Sequence, residues 1–201
     1  MASATGAGLG KLAPASSALF ICDVQERFRH VISNMPAVID TTHRMTRGAA
    51  AFGLPIFVTE QYPKALGNTV AEIILPANTP VVAKTHFSML VPEIKEQLTK
   101  LSAVRQILLV GIEAHVCILQ TTLDLLEQGY EVHVVADGVS SQRLGDRAVA
   151  LQRLASSGAF ISTSEMVLFQ LLGGAKHPQF KEISALVKEA RPDPLPYSSN
   201  L

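Results

Sequence analysis

The chain has 201 residues, of which 48% are hydrophobic and 17% charged, and its 17 basic and 17 acidic side chains cancel. This length and composition predict one folded domain and exclude a disordered or fibrous chain. The charge balance argues against nucleic-acid and membrane partners, which favour basic surfaces, and it favours a small-molecule substrate. Two cysteines, Cys22 and Cys117, are too few for a disulfide framework.

The two ends of the chain differ in composition from its middle. Residues 1–17 are rich in Ser, Ala and Gly and predict a flexible N-terminal arm, and residues 191–201 predict a Pro-rich C-terminal tail. One domain is therefore expected over residues 18–190. No stretch reaches the ~20 apolar residues of a membrane span, and the first residues lack the pattern of a secretory signal. We expect an intracellular protein, in the cytoplasm or, because the arm faintly resembles a transit peptide, in a mitochondrion.

Six short apolar runs alternate with longer stretches of helical spacing. The runs predict strands at residues 18–23, 55–60, 81–84, 106–112, 131–137 and 159–163. The intervening segments predict helices at residues 35–52, 93–101, 115–128, 143–157 and 180–190. Strands that are apolar on both faces and separated by helices indicate a six-stranded parallel sheet covered on both sides. The expected fold class is α/β, a three-layer, doubly wound, Rossmann-like domain.

Three polar residues are expected at one edge of this sheet, where open parallel sheets bind their ligands. Asp23 ends the first strand, Lys84 ends the third, and Cys117 follows the fourth. Each alone has an ordinary explanation, as a helix cap, a surface lysine or a small core residue. Together they form an activated nucleophile, because a helix start and an ammonium favour a thiolate and a carboxylate accepts its proton.

Four sequence blocks resemble the isochorismatase-like cysteine hydrolases, and most closely the isochorismatase-domain-containing proteins. Their order and spacing are specific, and the resemblance covers about residues 18–170. The blocks are Asp23-Val-Gln-Glu-Arg-Phe28, Thr59-Glu-Gln-Tyr62, Lys84-Thr-His-Phe-Ser88 and Gly111-Ile-Glu-Ala-His-Val-Cys117.

The resemblance implies a catalytic triad of Asp23 as acid and base, Lys84 as electrostatic partner and Cys117 as nucleophile. It also implies a cis peptide between Ile112 and Glu113, with the backbone N–H groups of Glu113 and Cys117 as an oxyanion hole. The implied reaction is thiolate attack on an amide-like or imine-like carbon of a small molecule, loss of ammonia or an amine, and hydrolysis of the acyl-enzyme. The resemblance further implies a homo-oligomer. We expect no cofactor.

The sequence departs from two other branches of this family. Nicotinamidases carry an Asp-X-His-X-X-His metal set after the second strand, whereas residues 59–66 read Thr-Glu-Gln-Tyr-Pro-Lys-Ala-Leu. We therefore expect no metal ion. Isochorismatases that cleave a vinyl ether lack a cysteine nucleophile, so Cys117 argues against isochorismate as the substrate.

Other residues in loops at the same edge of the sheet predict a partly apolar substrate pocket. Cys22 is expected to point away from Asp23, because neighbours on a strand alternate, and to be buried and unreactive. The apolar stretch 166–172 predicts core packing or, where it is exposed, a contact between subunits. The pocket candidates are Phe28, Gln61, Tyr62, Phe87, Leu90 and His115.

Two further functions stay open at this stage. A non-catalytic, partner-binding protein could keep the pocket without the chemistry, because a fold does not fix a function. Some members of the superfamily are described as mitochondrion-associated ribonucleases. The neutral net charge and the lack of a basic and aromatic array argue against RNA as the ligand.

Overall fold

The structure is a computed structural model that describes residues 8–192. Its six strands are β1 (Ser17–Cys22), β2 (Ile56–Gln61), β3 (Val81–Lys84), β4 (Gln106–Ile112), β5 (Glu131–Ser140) and β6 (Phe160–Ser162). They form one sheet in the order β3-β2-β1-β4-β5-β6, and every neighbouring pair is parallel. The predicted fold class is therefore confirmed.

Helices cover both faces of the sheet. One hydrophobic cluster joins one face to the helices at residues 35–52, 164–172 and 180–188, and a second joins the other face to the helices at residues 92–100, 119–127 and 144–156. None of the helices among residues 8–192 is long and apolar enough to cross a membrane. The helices are α1 (Met35–Phe52), α2 (Pro63–Leu66), α3 (Pro92–Lys100), α4 (Leu119–Glu127), α5 (Leu144–Ser156), α6 (Ser164–Leu172) and α7 (Phe180–Lys188).

The central strand β1 shows why the sheet needs cover on both sides. Leu19 and Ile21 lie in the cluster with α1, whereas Phe20 and Cys22 lie in the opposite cluster, and all four are fully buried. Side chains alternate across a strand, so a strand that is apolar at every position must be buried on both faces.

Two predicted segments are defined more closely by the structure. The single helix predicted at residues 115–128 begins as a π-helical turn, Ala114–Ile118, and continues as α4. The apolar stretch 166–172 forms most of α6, in which Met166 and Phe169 are partly exposed. The other apolar residues of α6 are buried, so this stretch is mainly core.

Residues 8–16 of the predicted N-terminal arm lie beside the sheet, and Ser17 begins β1. Leu12 is buried, and the backbone N–H of Ala13 donates a hydrogen bond to Oε1 of Gln106 at 3.1 Å. The Ser17 hydroxyl also donates to this oxygen. The sequence predicted a flexible arm here. The structure instead attaches this segment to Gln106, at the start of β4, through hydrogen bonds. Residues 1–7 of the arm and 193–201 of the tail lie outside the described residues.

The folded state is expected to lose stability in mild acid because of one buried histidine. His133 stacks on Phe160 with ring centroids 4.8 Å apart, and its Nε2 has no hydrogen-bond partner. Burial lowers the pKa of His133 to about 4, below the ordinary value of about 6.5. The unfolded chain takes up this proton first. The contribution of neutral His133 to the free energy of unfolding is therefore complete above about pH 6.5 and is lost as the pH falls towards 4.

Urea unfolding at pH 7 and pH 5 checks this prediction. Between pH 7 and pH 5, the free energy of unfolding should fall by about 1–2 kcal/mol more in the wild-type protein than in His133→Phe. His30→Phe, at an exposed histidine, is the matched control and should behave as the wild type. Equal pH dependence in wild type and His133→Phe would contradict the assignment.

Candidate active site

The predicted triad meets at the centre of the sheet. Asp23 follows β1 and Cys117 lies in the π-helical turn after the neighbouring strand β4, while Lys84 is the last residue of β3. Strand connections diverge between β1 and β4, and this switch point is where such sheets bind ligands. All three residues are buried, with exposures of 1% for Asp23, 4% for Lys84 and 7% for Cys117. The structure therefore brings together three groups that are far apart in the sequence.

The Asp23 carboxylate is held at both oxygens. Oδ2 accepts a hydrogen bond from Lys84 Nζ at 2.7 Å, and Oδ1 accepts one from the Thr59 hydroxyl at 2.8 Å. The backbone N–H of Asp23 donates to the Thr59 carbonyl at 3.1 Å. Asp23 has a φ of 53°, in the left-handed region, which turns the chain immediately after β1. These contacts fix the carboxylate beside the sheet edge.

The Lys84 ammonium is surrounded by oxygen atoms. Besides Asp23, it donates to Oε1 of Gln61 at 2.7 Å and to the carbonyls of His86 and Phe87 at 3.0 Å each. The loop after β3 therefore wraps back over the side chain that ends the strand. This coordination replaces the water that the ammonium loses on burial.

The charge of Lys84 is maintained by its neighbours. Burial acts to lower the pKa of Lys84, but its electrostatic interactions with Cys22, Asp23 and Cys117 and its hydrogen bond to Asp23 outweigh it, and the pKa is raised. The lysine is a permanent cation beside the carboxylate and both thiols.

Backbone geometry places Cys117 close to β1. Gly111 has a φ of +117°, and a Cβ atom there would lie 2.1 Å from the carbonyl oxygen of Cys22. Only glycine permits this approach. The peptide bond between Ile112 and Glu113, just after this glycine, is cis. The Glu113 carboxylate then accepts a hydrogen bond from the backbone N–H of Gln142 at 2.8 Å, which joins this loop to the end of β5.

Cys22 contradicts the prediction that it points away from Asp23. Its Sγ lies 3.5 Å from Asp23 Oδ2, and the Cys22 sulfur, the Cys117 sulfur and an Asp23 carboxylate oxygen all lie within 4.8 Å of one another. Alternation fails because Asp23 lies beyond the strand, where its positive φ turns its side chain towards Cys22. Burial, followed by a hydrogen bond with Cys117 and the charge of Asp23, raises the pKa of Cys22.

The predicted pocket residues separate into different environments. Gln61 is part of the site, because it accepts from Lys84 and donates to the Thr85 carbonyl at 2.9 Å. Leu90 is buried in the hydrophobic cluster that contains Cys117. Phe28 packs against the cluster on the opposite face of the sheet.

The remaining pocket candidates are more accessible. Tyr62 and Phe87 are about half exposed, at 52% and 50%. His115 is partly buried, and its Nδ1 lies 2.9 Å from the Ser141 hydroxyl, so its ring is fixed to the end of β5. Tyr62 and Phe87 could therefore contact a ligand from the loops after β2 and β3, and His115 from the π-helical turn after β4.

Sequence reasoning missed two residues that support the site. Thr59 binds Asp23, and the parallel register that pairs it with Cys22 could have identified it. Gln25 joins the Asp23 loop to β2, since its Nε2 donates to the Gln61 carbonyl at 2.9 Å and its Oε1 accepts from the Gln61 N–H at 2.7 Å. Gln25 lies in the first sequence block but has no distinctive pattern of its own.

One group within residues 8–192 offers three metal-ligand atoms in reach of one another, namely Cys22, Asp23 and Cys117. Lys84 Nζ lies 2.7 Å from the same Asp23 carboxylate and would repel a bound cation. The arrangement fits a thiol beside an ion pair better than a metal centre.

The comparisons with known proteins identify the family to which this chain belongs. Residues 17–166 match the family described as Isochorismatase domain, which is more than half of the chain. The chain therefore belongs to the isochorismatase family, and the resemblance read from the four sequence blocks is confirmed.

Individual relatives agree with this assignment. Isochorismatase domain-containing protein 2 of Pongo abelii is 52% identical over 92% of this chain and 89% of its own length. The structure of MAR1 ribonuclease from Caenorhabditis elegans has a TM-score of 0.88 and 46% identity, and covers 94% of this chain and 98% of its own. The Escherichia coli YcaC product, described as an octameric hydrolase of unknown specificity, has a TM-score of 0.80 at 20% identity, covering 88% of each chain. The last likeness concerns the fold alone.

Removing Lys84 should destabilise the fold far more than removing an exposed lysine. In Lys84→Ala the Asp23 carboxylate stays buried without its cation, which costs about 3–5 kcal/mol of unfolding free energy. The control is Lys100→Ala, whose pair with Glu96 has a similar 2.8 Å distance but is exposed, and it should cost far less than Lys84→Ala. Urea denaturation at pH 7 measures both. Similar losses in the two variants would show that the buried pair is not a structural requirement.

Proposed function

We propose that the protein is a metal-independent cysteine hydrolase that cleaves an amide-like C–N bond of a small molecule. The observation that carries this proposal is the buried Asp23–Lys84 pair, 2.7 Å apart, with the Cys117 sulfur within 4.8 Å of a carboxylate oxygen. The Asp23 carboxylate can act as the base for the thiol, and the Lys84 ammonium can stabilise the resulting anion. Such an arrangement is typical of an activated nucleophile. The 7% exposure of Cys117 restricts its reach to small substrates.

The first half of the proposed reaction forms a thioester. Asp23 takes the proton of Cys117, and the thiolate attacks the carbonyl carbon of the substrate. The oxygen gains a negative charge, which the backbone N–H groups of Glu113 and Cys117 stabilise. Asp23 then returns the proton to the substrate nitrogen, the C–N bond breaks, and ammonia or an amine leaves.

The second half releases the acid. Water attacks the thioester carbon while Asp23 accepts one of its protons, and the C–S bond breaks to give a carboxylic acid and the Cys117 thiolate. Lys84 keeps its charge throughout and stabilises whichever of the two anions is present. Gln61, which binds Lys84, and Leu90, which belongs to the hydrophobic cluster that contains Cys117, are the pocket residues best placed to position the substrate.

A second candidate function is ribonuclease activity. It is favoured by the C. elegans protein, which carries that description and is 46% identical to this chain. The formal net charge of zero argues against it, because phosphate backbones are bound mainly through Lys and Arg.

We also infer that copies of this chain associate. Met166 and Phe169 lie on α6 with exposures of 50% and 39%, and α6 is apolar along most of its length. The two residues are three positions apart and therefore neighbours on the helix surface, so they form one exposed apolar patch, and such patches mark contacts between subunits. The E. coli relative is described as an octamer.

Cys117→Ala tests the proposed nucleophile. A panel of primary amides and ureas is screened by ammonia release, and any compound turned over by the wild type should react at least about 10³-fold more slowly with the variant. The variant should melt as the wild type does, because alanine fits where a small thiol packs. The acyl-enzyme should appear as a mass adduct on the Cys117 peptide. Wild-type ammonia release by a folded Cys117→Ala protein would refute the mechanism.

RNA hydrolysis is tested on the same two proteins. We expect no cleavage of single-stranded RNA by the wild type beyond that of Cys117→Ala, and no RNA binding even at about 50 mM salt, where phosphate contacts are strong. Cleavage and binding that weaken steeply as salt rises would favour the ribonuclease instead.

A further inference from the structure

We infer that Cys22 is a resolving thiol for Cys117: once a hydroperoxide has oxidised Cys117, the two cysteines form an intramolecular disulfide that reversibly switches the site off. The inference rests on the proposed function in one respect, namely that Cys117 is a reactive thiol. It assigns a role to a buried cysteine that the hydrolytic reaction does not use.

The positions of the two sulfurs carry this inference. They lie within 4.8 Å of each other, and the chain contains no other cysteine. Cys22 is fixed at the end of the central strand, where it pairs with both β2 and β4. Cys117 lies in the π-helical turn, outside the strand ladder. Closing the gap to the ~2.05 Å of a disulfide therefore requires a movement of Cys117, mainly by rotation of its side chain.

Exposure divides the two cysteines into different roles. Cys117 is 7% exposed, whereas Cys22 is completely buried. A peroxide from solution therefore reaches Cys117 first. Burial raises the pKa of Cys22, which keeps it a protonated thiol, and thiols react with peroxides far more slowly than thiolates do.

The first step consumes one molecule of hydrogen peroxide. The Cys117 thiolate attacks one peroxide oxygen, the O–O bond breaks, and hydroxide leaves. The sulfur is oxidised by two electrons to a sulfenic acid, and the peroxide is reduced by the same two electrons.

The second step uses a contact that the structure already contains. The Cys22 thiol donates to Asp23 Oδ2 at 3.5 Å, so this carboxylate can accept its proton as the Cys22 sulfur attacks the sulfur of Cys117. The S–O bond breaks, and the hydroxide takes the proton and leaves as water. The products are one disulfide and one water molecule, with no further oxidant.

The disulfide would have two effects. Cys117 could not attack a substrate, so hydrolysis would stop until a dithiol reduced the bond. The same bond would keep Cys117 from further oxidation to sulfinic acid, which simple thiols do not reverse.

The experiment compares full-length wild type with Cys22→Ala, before and after hydrogen peroxide and then dithiothreitol. Iodoacetamide labelling of Cys117, resolved by peptide mass spectrometry, is the readout. In the wild type we expect a cross-linked Cys22–Cys117 peptide that has lost two hydrogen atoms, loss of labelling, and its recovery with dithiothreitol. In the variant we expect Cys117 to gain two or three oxygen atoms, with at least about tenfold less recovery of labelling.

Controls keep the outcomes separate. Cys22→Ser, which preserves the size of the side chain, should behave as Cys22→Ala, and melting curves verify that both are folded. Equal recovery in wild type and both variants, or a cross-link only between two chains, would overturn the inference. If Cys117 is labelled by iodoacetamide before peroxide treatment but never forms a cross-link with Cys22, the inferred disulfide is wrong and the proposed function is unaffected. A folded wild type whose Cys117 does not label at all contradicts the proposed function as well.

Discussion

The buried ion pair between Asp23 and Lys84 is the interaction on which the arrangement of the site depends. Moving two charges out of water costs several kcal/mol for each, and their attraction offsets this only when the remaining polar atoms are also satisfied. Thr59 binds the second carboxylate oxygen, and Gln61 binds the ammonium. The pair therefore requires the ends of β1, β2 and β3 to lie together, and it places a fixed charge beside Cys117.

The fold could be predicted because its signals are local. The apolar runs and helical spacing predicted six parallel strands, and the spacing at residues 35–52 predicted α1 with its bounds. The order of the four sequence blocks predicted which side chains meet. The triad positions follow directly from strand ends in a parallel sheet, since the ends of parallel strands share one edge.

What the sequence could not predict depends on backbone geometry. The alternation rule put Cys22 and Asp23 on opposite faces, and it failed because Asp23 adopts a positive φ that is rare outside glycine. Likewise, the π-helical turn around Cys117 has a helical residue pattern, and only its hydrogen bonds distinguish it from an α-helix. The docking of residues 8–16 depends on Gln106, about 90 residues away in the sequence.

The most direct test of the account is the rate at which iodoacetamide alkylates Cys117 at pH 7, in the native protein and in the urea-unfolded chain, with Cys22 as the internal reference. The account predicts that native Cys117 reacts at least about tenfold faster than in the unfolded chain, although it is buried, because the Asp23 carboxylate lies beside it and can accept its proton. Cys22 should react only after unfolding. Native Cys117 that reacts as slowly as native Cys22 would contradict an activated nucleophile.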